Sequence, residues 1–240
     1  MLPLILSLSA ILLPAHAGAM EEIVLASDQE RTESERRAAF DRLVMIGATD
    51  LSTLSRISLD TTGATRQRWV AIRAMGHVGG YGVEQTLVDL LTDPEPAIRT
   101  AAVSALGDVG GSAHSIQLAS TLQDPAIIVR AAAAEALGKI RDPSTITALA
   151  SALSDPENYH RGTSLWVRRH YVVALGEIGD HRALPVLLGA MDDDDIEVSR
   201  ATIGALERIS GFTFSDGRST AEERTAWKRW ASAQIQSRGL

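Results

Sequence analysis

The 240-residue sequence is 45% hydrophobic and 22% charged, with a formal net charge of −7, enough apolar content for a continuous core. Of its 23 basic residues only Lys139 and Lys228 are lysines, and no basic face of the kind DNA or RNA requires emerges, which argues against a nucleic-acid partner. There is no cysteine, so disulfides, thiol chemistry and thiolate metal sites are excluded.

The chain opens with a short apolar run, residues 2–13, followed by Ala15-His16-Ala17 and Gly18-Ala19. An apolar core before a small-x-small site has the form of a secretory signal peptide, cleaved after Ala17 or Ala19. Its amino-terminal region carries no Lys or Arg, only the charge of Met1. The run is too short for a comfortable membrane span. These features predict a signal peptide over 1–19, a periplasmic or secreted protein, and no membrane span in the mature chain. A buried N-terminal helix in a cytoplasmic protein is the competing reading. Residues 20–31 read as a short helix covering the first of a series of repeats.

From residue 33 onward the sequence repeats itself. Taking the Leu of Ala-Leu-Gly as an anchor gives Leu43, Met75, Leu106, Leu137, Leu175 and Leu206, spaced 32, 31, 31, 38 and 31 residues apart. Seven residues before the anchor stand Arg36, Arg68, Arg99, Arg130 and Arg168, with Ser199 in the sixth repeat. Three residues after it stand Ile46, Val78, Val109, Ile140, Ile178 and Ile209. Each period holds two amphipathic runs with apolar residues three and four apart, as in Ile98, Ala101, Ala102, Ala105, Val109 and then Ile146, Leu149, Ala150, Leu153. A period near 31 residues made of two helices is the signature of a helical solenoid, in which one repeat alone cannot bury both its helices. The pairs Asp93-Pro94, Asp124-Pro125, Asp142-Pro143 and Asp155-Pro156 are expected to open helices.

The frames Val-Arg-x-x-Ala-x-x-Ala-Leu-Gly-x-Ile at 129–140 and Val-Arg-x-x-x-x-x-Ala-Leu-Gly-x-Ile at 167–178, with the Asp-Pro turns, resemble the short bacterial HEAT repeats called phycobilisome-lyase-like. The resemblance covers residues 33–210 and implies an all-α, right-handed α-α superhelix of about six helical hairpins. The matched residues are packing residues, so they specify fold and not activity.

In the first repeat helices are expected near Glu33–Ile46 and Asp50–Ser58. Between the helices of the second lies Gly76-His77-Val78-Gly79-Gly80-Tyr81-Gly82. A phosphate loop would need a preceding strand, whereas a helix precedes this one, so it reads as a turn. The third and fourth repeats are regular. The fifth takes seven extra residues between Pro156 and Arg168. The sixth gives one long helix, and residues 211–240 leave the pattern with Gly211-Phe212-Thr213-Phe214 and a helix bearing Trp227 and Trp230, read as a C-terminal cap. The expected organisation is therefore a signal peptide (1–19), a solenoid (20–210) and a capping segment (211–240).

Several polar features invite a chemical reading. The arginines Arg68, Arg99, Arg130 and Arg168 stand near Asp93, Asp124 and Asp155 of the turns, and a guanidinium fork suits carboxylates and turn carbonyls, so a ladder tying neighbouring repeats is expected. The run Asp192–Asp195 lacks the alternating ligands, Gly and distal Glu of a calcium loop and reads as a solvated turn. The six histidines show no i,i+4 pair and no His-Glu dipeptide, the motif of iron-binding HEAT-like hydroxylases, so no metal or other cofactor is expected. No catalytic arrangement of Ser-His-Asp, Cys-His or paired carboxylates can be placed.

The insertion gathers Tyr159, His160, Arg161, Trp166, Arg169, His170 and Tyr171 in a chain that is only 4% aromatic. Aromatic and Arg residues dominate protein interfaces. These seven are the predicted partner-binding residues. The function expected is a non-enzymatic interaction or scaffold module that presents the second-helix, concave face and the 157–166 insertion to a protein or peptide. The resemblance implies an alternative, a bilin-lyase-like protein that holds a propionate-bearing tetrapyrrole.

Overall fold

The computed structural model describes residues 15–80, 82–214 and 219–240. Most of the proposed signal peptide and its apolar run, residues 1–14, lies outside the described residues. Among those described there are thirteen α-helices and one two-stranded hairpin. The chain forms two compact units, Met1–Gly79 and Gly80–Leu240. The boundary, absent from the sequence reading, falls in the glycine-rich turn. Gly79, Gly80 and Gly82 adopt φ of 63°, 98° and 91°, a backbone open to glycine and strained for other residues.

In the first unit α1 (Ala15–Ser27) packs on α2 (Glu33–Gly47), and both meet α4 (Thr65–Val78), with α3 (Leu51–Leu59) completing the bundle. Thr32 and Glu35 form a capping box at the start of α2, and Asp50 caps α3 through the Thr53 amide, so two of the orphan ends expected of any helix are closed locally. The helix expected over 20–31 begins earlier, at Ala15, because Ala19 and Ile23 are both fully buried on its inner side.

The second unit stacks first helices α6 (Pro96–Val109), α8 (Ile127–Ile140), α10 (Arg168–Ile178) and α12 (Ile196–Ser210) against one another in chain order. The second helices are α5 (Val83–Asp89), α7 (Ser115–Ser120), α9 (Ile146–Ser154) and α11 (Leu184–Ala190). What lets the first helices approach is the Ala-Leu-Gly frame. A Cβ on Gly107 would stand 2.7 Å from the Ala136 Cβ, and one on Gly176 would stand 2.6 Å from the Ala205 Cα. At these two seams the glycine just after one anchor faces the alanine just before the next, and no larger pair fits at that separation.

Arginine ties the repeats together. Arg99 donates from Nε and Nη2 to both carboxylate oxygens of Asp124 at 2.7 and 2.8 Å, and from Nη1 to the Asp93 carbonyl at 2.7 Å. Arg168 grips Asp193 with its other two nitrogens, Nη1 and Nη2, at 3.0 and 2.6 Å, and donates from Nε to the Leu153 carbonyl at 2.9 Å. Each carboxylate lies 25 residues beyond its arginine. Arg68 donates from Nε to the Ser58 carbonyl at 2.9 Å, closing the end of α3. At the sixth repeat Ser199 takes the arginine's place, donating to the Met191 carbonyl and bonding Arg224 of the last helix.

Three expectations change here. The carboxylate held by Arg168 is Asp193, not Asp155, which instead caps a short turn by accepting from the Glu157 amide. Arg130 correspondingly reaches the Asp124 carbonyl at 2.8 Å, and its buried Nε has no partner among the described residues. The acidic run is not simply solvated: Asp193 grips Arg168, Asp192 pairs with Lys228, and Asp195 caps α12. The Asp-Pro pairs also act differently at the third and fourth repeats. Asp93 and Asp124 accept from amides two residues on, folding a turn, and the helices begin later, at Pro96 and Ile127.

The last helix, α13 (Thr220–Arg238), opens with a Ser219–Glu222 capping box and packs on α11 and α12. Trp227 is fully buried, stacked 5.4 Å from Phe212 and edge-on to Phe214 and Trp230 at 4.6 and 5.5 Å. This aromatic cluster covers the final repeat, as the cap reading requires.

Two outcomes are expected. Gly107→Val and Gly176→Val each lower unfolding free energy by about 1–3 kcal/mol through overpacking. Gly189→Ala, in a helix with open space around the site, instead raises it by about 0.5–1 kcal/mol; denaturant titration distinguishes the two. Burial pushes the Asp124 and Asp193 carboxyls up, but the hydrogen bonds from Arg99 and Arg168 and from nearby amides outweigh it and hold both below the usual carboxylate range. The unfolded chain therefore takes up these protons first. Their stabilisation is complete above the ordinary Asp value near ~3.9 and is lost as pH falls through the folded values. Asp193→Asn should cost about 1.5–3 kcal/mol at pH 7 and flatten the acid limb of a stability-against-pH curve.

Candidate functional site

The seven extra residues of the fifth repeat fold into a small hairpin. Strands β1 (Tyr159–His160) and β2 (Thr163–Ser164) pair antiparallel, Tyr159 opposite Ser164 and His160 opposite Thr163. Arg161 and Gly162 make the turn with φ of 51° and 79°, the pair of left-handed residues a two-residue hairpin turn demands. Asn158 anchors the base. It is buried, donates from Nδ2 to the Ala152 carbonyl at 2.8 Å, and accepts from the Leu165 amide at 3.0 Å.

The hairpin orders the aromatic residues by exposure. Tyr159, 37% exposed, lays its ring 4.4 Å from the Arg168 guanidinium, so one of its faces is spent on the ladder. His160 and Arg161 stand exposed at the tip. Trp166, 46% exposed, meets the His170 ring edge-on at 5.1 Å. His170 Nε2 lies 3.6 Å from a Glu135 oxygen, and its buried Nδ1 has no partner among the described residues.

Tyr171 corrects the prediction for that residue. It is 0% exposed, its hydroxyl donates to Asn158 Oδ1 at 3.4 Å, and burial pushes its phenol above the ordinary value. The helix phase explains this. Tyr171 holds the position four before its anchor, where Ala102 and Ala133 are fully buried in earlier repeats. It is a core residue, and six of the seven predicted residues remain at the surface.

Beside Trp166 and His170 runs a groove of about 660 Å³ lined from α8, α10 and α12. It sits on first helices, whereas the sequence reading placed the binding face on second helices. Arg169 lies in it without an ion-pair partner among the described residues, while Lys139 is paired with Asp108 and Arg200 with Glu197. Glu135, Glu177 and Glu197 balance Lys139, Arg169 and Arg200, so the groove carries both signs of charge. Sequence reasoning missed the α8 and α12 contributors, although their phase matched: Arg169 and Arg200 both stand six residues before an anchor. Among the described residues no group of three His, Cys, Asp or Glu side chains is placed to hold a metal ion, and no helix is long and apolar enough to cross a membrane.

The family model described as HEAT repeats matches residues 59–124 and 116–207. No curated protein sequence matches the chain. Among solved structures, the complex of CpcE and CpcF of phycocyanin lyase from Nostoc sp. PCC7120 superposes with a TM-score of 0.58 at 21% identity, covering 67% of this chain and 65% of that one. The match thus spans a little under two thirds of the lyase chain. Two engineered proteins solved by the Northeast Structural Genomics Consortium each reach 0.51, at 20% and 18% identity, covering 82% of this chain and 90% and 92% of theirs. At these identities the likeness is one of fold.

Core and surface aromatics separate by measurement. Tyr171→Ala should cost about 3–5 kcal/mol of stability, and Trp166→Ala less than about 0.5 kcal/mol, both read by thermal or denaturant unfolding.

Proposed function

We propose that this chain, which belongs to the HEAT-repeat family, is a non-enzymatic scaffold that binds a protein or peptide partner at the fifth-repeat hairpin and the adjoining first-helix groove. The observation that carries the reading is the exposed Trp166, held edge-on to His170 beside Arg169, which has no ion-pair partner among the described residues. A large ring already fixed by a neighbour loses little freedom on binding, and Trp and Arg are the residues that contribute most at interfaces. The groove's balanced charge favours a partner surface of mixed polarity over a strongly charged one. The apolar run at 2–13 and Ala15-His16-Ala17 support export, and cleavage after Ala17 would leave the buried Ala19 in place.

A second reading follows from the lyase neighbour: a tetrapyrrole whose propionates meet Arg169 while its rings lie on Trp166. An unchanged absorbance spectrum of bilin mixed with the protein removes it.

Crosslinking and capture from the native compartment tests the main reading, comparing wild type with the Trp166→Ala/Arg169→Ala double variant. The expected result is one partner recovered with wild type and its affinity, measured with the purified pair, reduced at least about thirtyfold in the variant. Equal affinity for both would move the site off the hairpin.

A further inference from the structure

The N-terminal unit carries its own groove, separate from the fifth repeat and assigned no role above. It has a volume of about 500 Å³ and lies between α2 and α4. On α4, Arg66, Trp69, Arg73 and His77 fall at i, i+3, i+7 and i+11, one stripe of one helix. On α2, Arg37 and Phe40 face the same space. The Arg73 guanidinium sits 4.9 Å from the Trp69 ring centroid and 5.3 Å from that of Phe40, and Phe40 meets His77 edge-on at 5.3 Å.

Charge in this groove runs against that of the chain. Four arginines line it against two carboxylates, Glu33 and Asp41, in a protein of net charge −7. Arg36 is partly committed, donating to the Arg31 carbonyl at 2.7 Å. Arg37, Arg66 and Arg73 have no ion-pair partner among the described residues. Stacking occupies the faces of the Arg73 guanidinium and leaves its edge, where the N–H donors lie, open to a carboxylate fork. It also holds the side chain in place before any ligand arrives, which lowers the ordering cost of binding.

Spacing decides the class of ligand. Arg66 and Arg73 are seven residues apart, about 10.5 Å along a helix, and Arg37 stands on the neighbouring helix. One small anion cannot reach all three, whereas an extended chain, rising about 3.3 Å per residue, covers that distance in about three residues. We propose that the α2–α4 groove is a docking site for an acidic peptide segment in extended form, its carboxylates taken by Arg37, Arg66 and Arg73 and its backbone laid on Trp69.

Calorimetric titration of the full chain with a blocked octapeptide of alternating Glu and Asp tests this, with an octalysine peptide and citrate as the other ligands. The expected result is saturable binding of the acidic octapeptide, weakening steeply with salt. It should fall at least about tenfold in Arg37→Ala/Arg66→Ala/Arg73→Ala and in Trp69→Ala, with no comparable binding of octalysine. The three arginines hold no ion pair among the described residues, so the triple variant should lower the unfolding midpoint only by the lost Arg73 stacking on Trp69 and Phe40, and the binding loss is then read on a protein shown to be folded by that midpoint. If citrate binds as tightly and with the same dependence on the three arginines, the site takes small anions and the peptide assignment fails. Undiminished peptide binding in the triple variant, or no binding to wild type at millimolar peptide, also overturns it. Binding lost in Trp166→Ala/Arg169→Ala but kept in the triple variant would place the acidic ligand at the hairpin instead.

Discussion

The closeness of consecutive first helices governs the second unit. Gly107 faces Ala136 and Gly176 faces Ala205 with no room for another carbon. Backbones that approach this far leave the anchor leucines, Leu106, Leu137, Leu175 and Leu206, fully buried. Dispersion and apolar burial both grow as the helices close, because every anchor then touches neighbours on all sides. A repeat with a larger residue at either position would stand off from the next and open a void along the whole seam.

Close approach brings polar groups inside, and the arginines resolve that problem. Desolvating a guanidinium and a carboxylate gains little by itself. Here the pair also closes backbone carbonyls: Arg99 satisfies the Asp93 carbonyl and Arg168 the Leu153 carbonyl while each grips a carboxylate with two bonds. Lysine offers a single point of charge and no fork, so it cannot serve a carbonyl and both carboxylate oxygens together. The fifth-repeat insertion interrupts this arrangement. Asp155 turns to cap the hairpin's entry, Arg130 Nε is left with no partner among the described residues, and buried Tyr171 bonds the buried Asn158. The hairpin is therefore built into the core at its base, which is why its exposed tip projects from a fixed support.

The repeat, the helix pairs, the arginine positions and the Trp cap were legible because they recur or lie at fixed offsets. Residues such as Leu137 and Gly138 carry a period that no other fold would require. What failed to show was anything depending on register across repeats in space. Arg168 was read with the turn before it, Asp155, because sequence proximity favours that pairing, while the fork points onward to Asp193. Tyr171 looked like a surface aromatic among its neighbours in sequence, yet the anchor offset that identified the repeat already placed it with buried Ala102 and Ala133. The hairpin strands are two residues long, too short for any alternating pattern to appear.

The same offsets separate framework from variable surface. Positions four before the anchor hold Ala39, Ala71, Ala102, Ala133, Tyr171 and Thr202, all fully buried. Positions six before it hold Arg37, Trp69, Thr100, Ala131, Arg169 and Arg200. At the first kind of position packing dictates size, and the larger Tyr171 enters only where the insertion has made space. At the second kind the constraint is looser: Ala131 is buried, but at the other positions charge and aromatic character vary from repeat to repeat. Both grooves in the first-helix surfaces draw on that second row: Arg37 and Trp69 in one, Arg169 and Arg200 in the other. A solenoid frame of this kind fixes where side chains are displayed while leaving their chemistry unconstrained. The row six before each anchor and the hairpin are therefore where this chain differs most from repeat to repeat, and the repeat motif itself is silent about them.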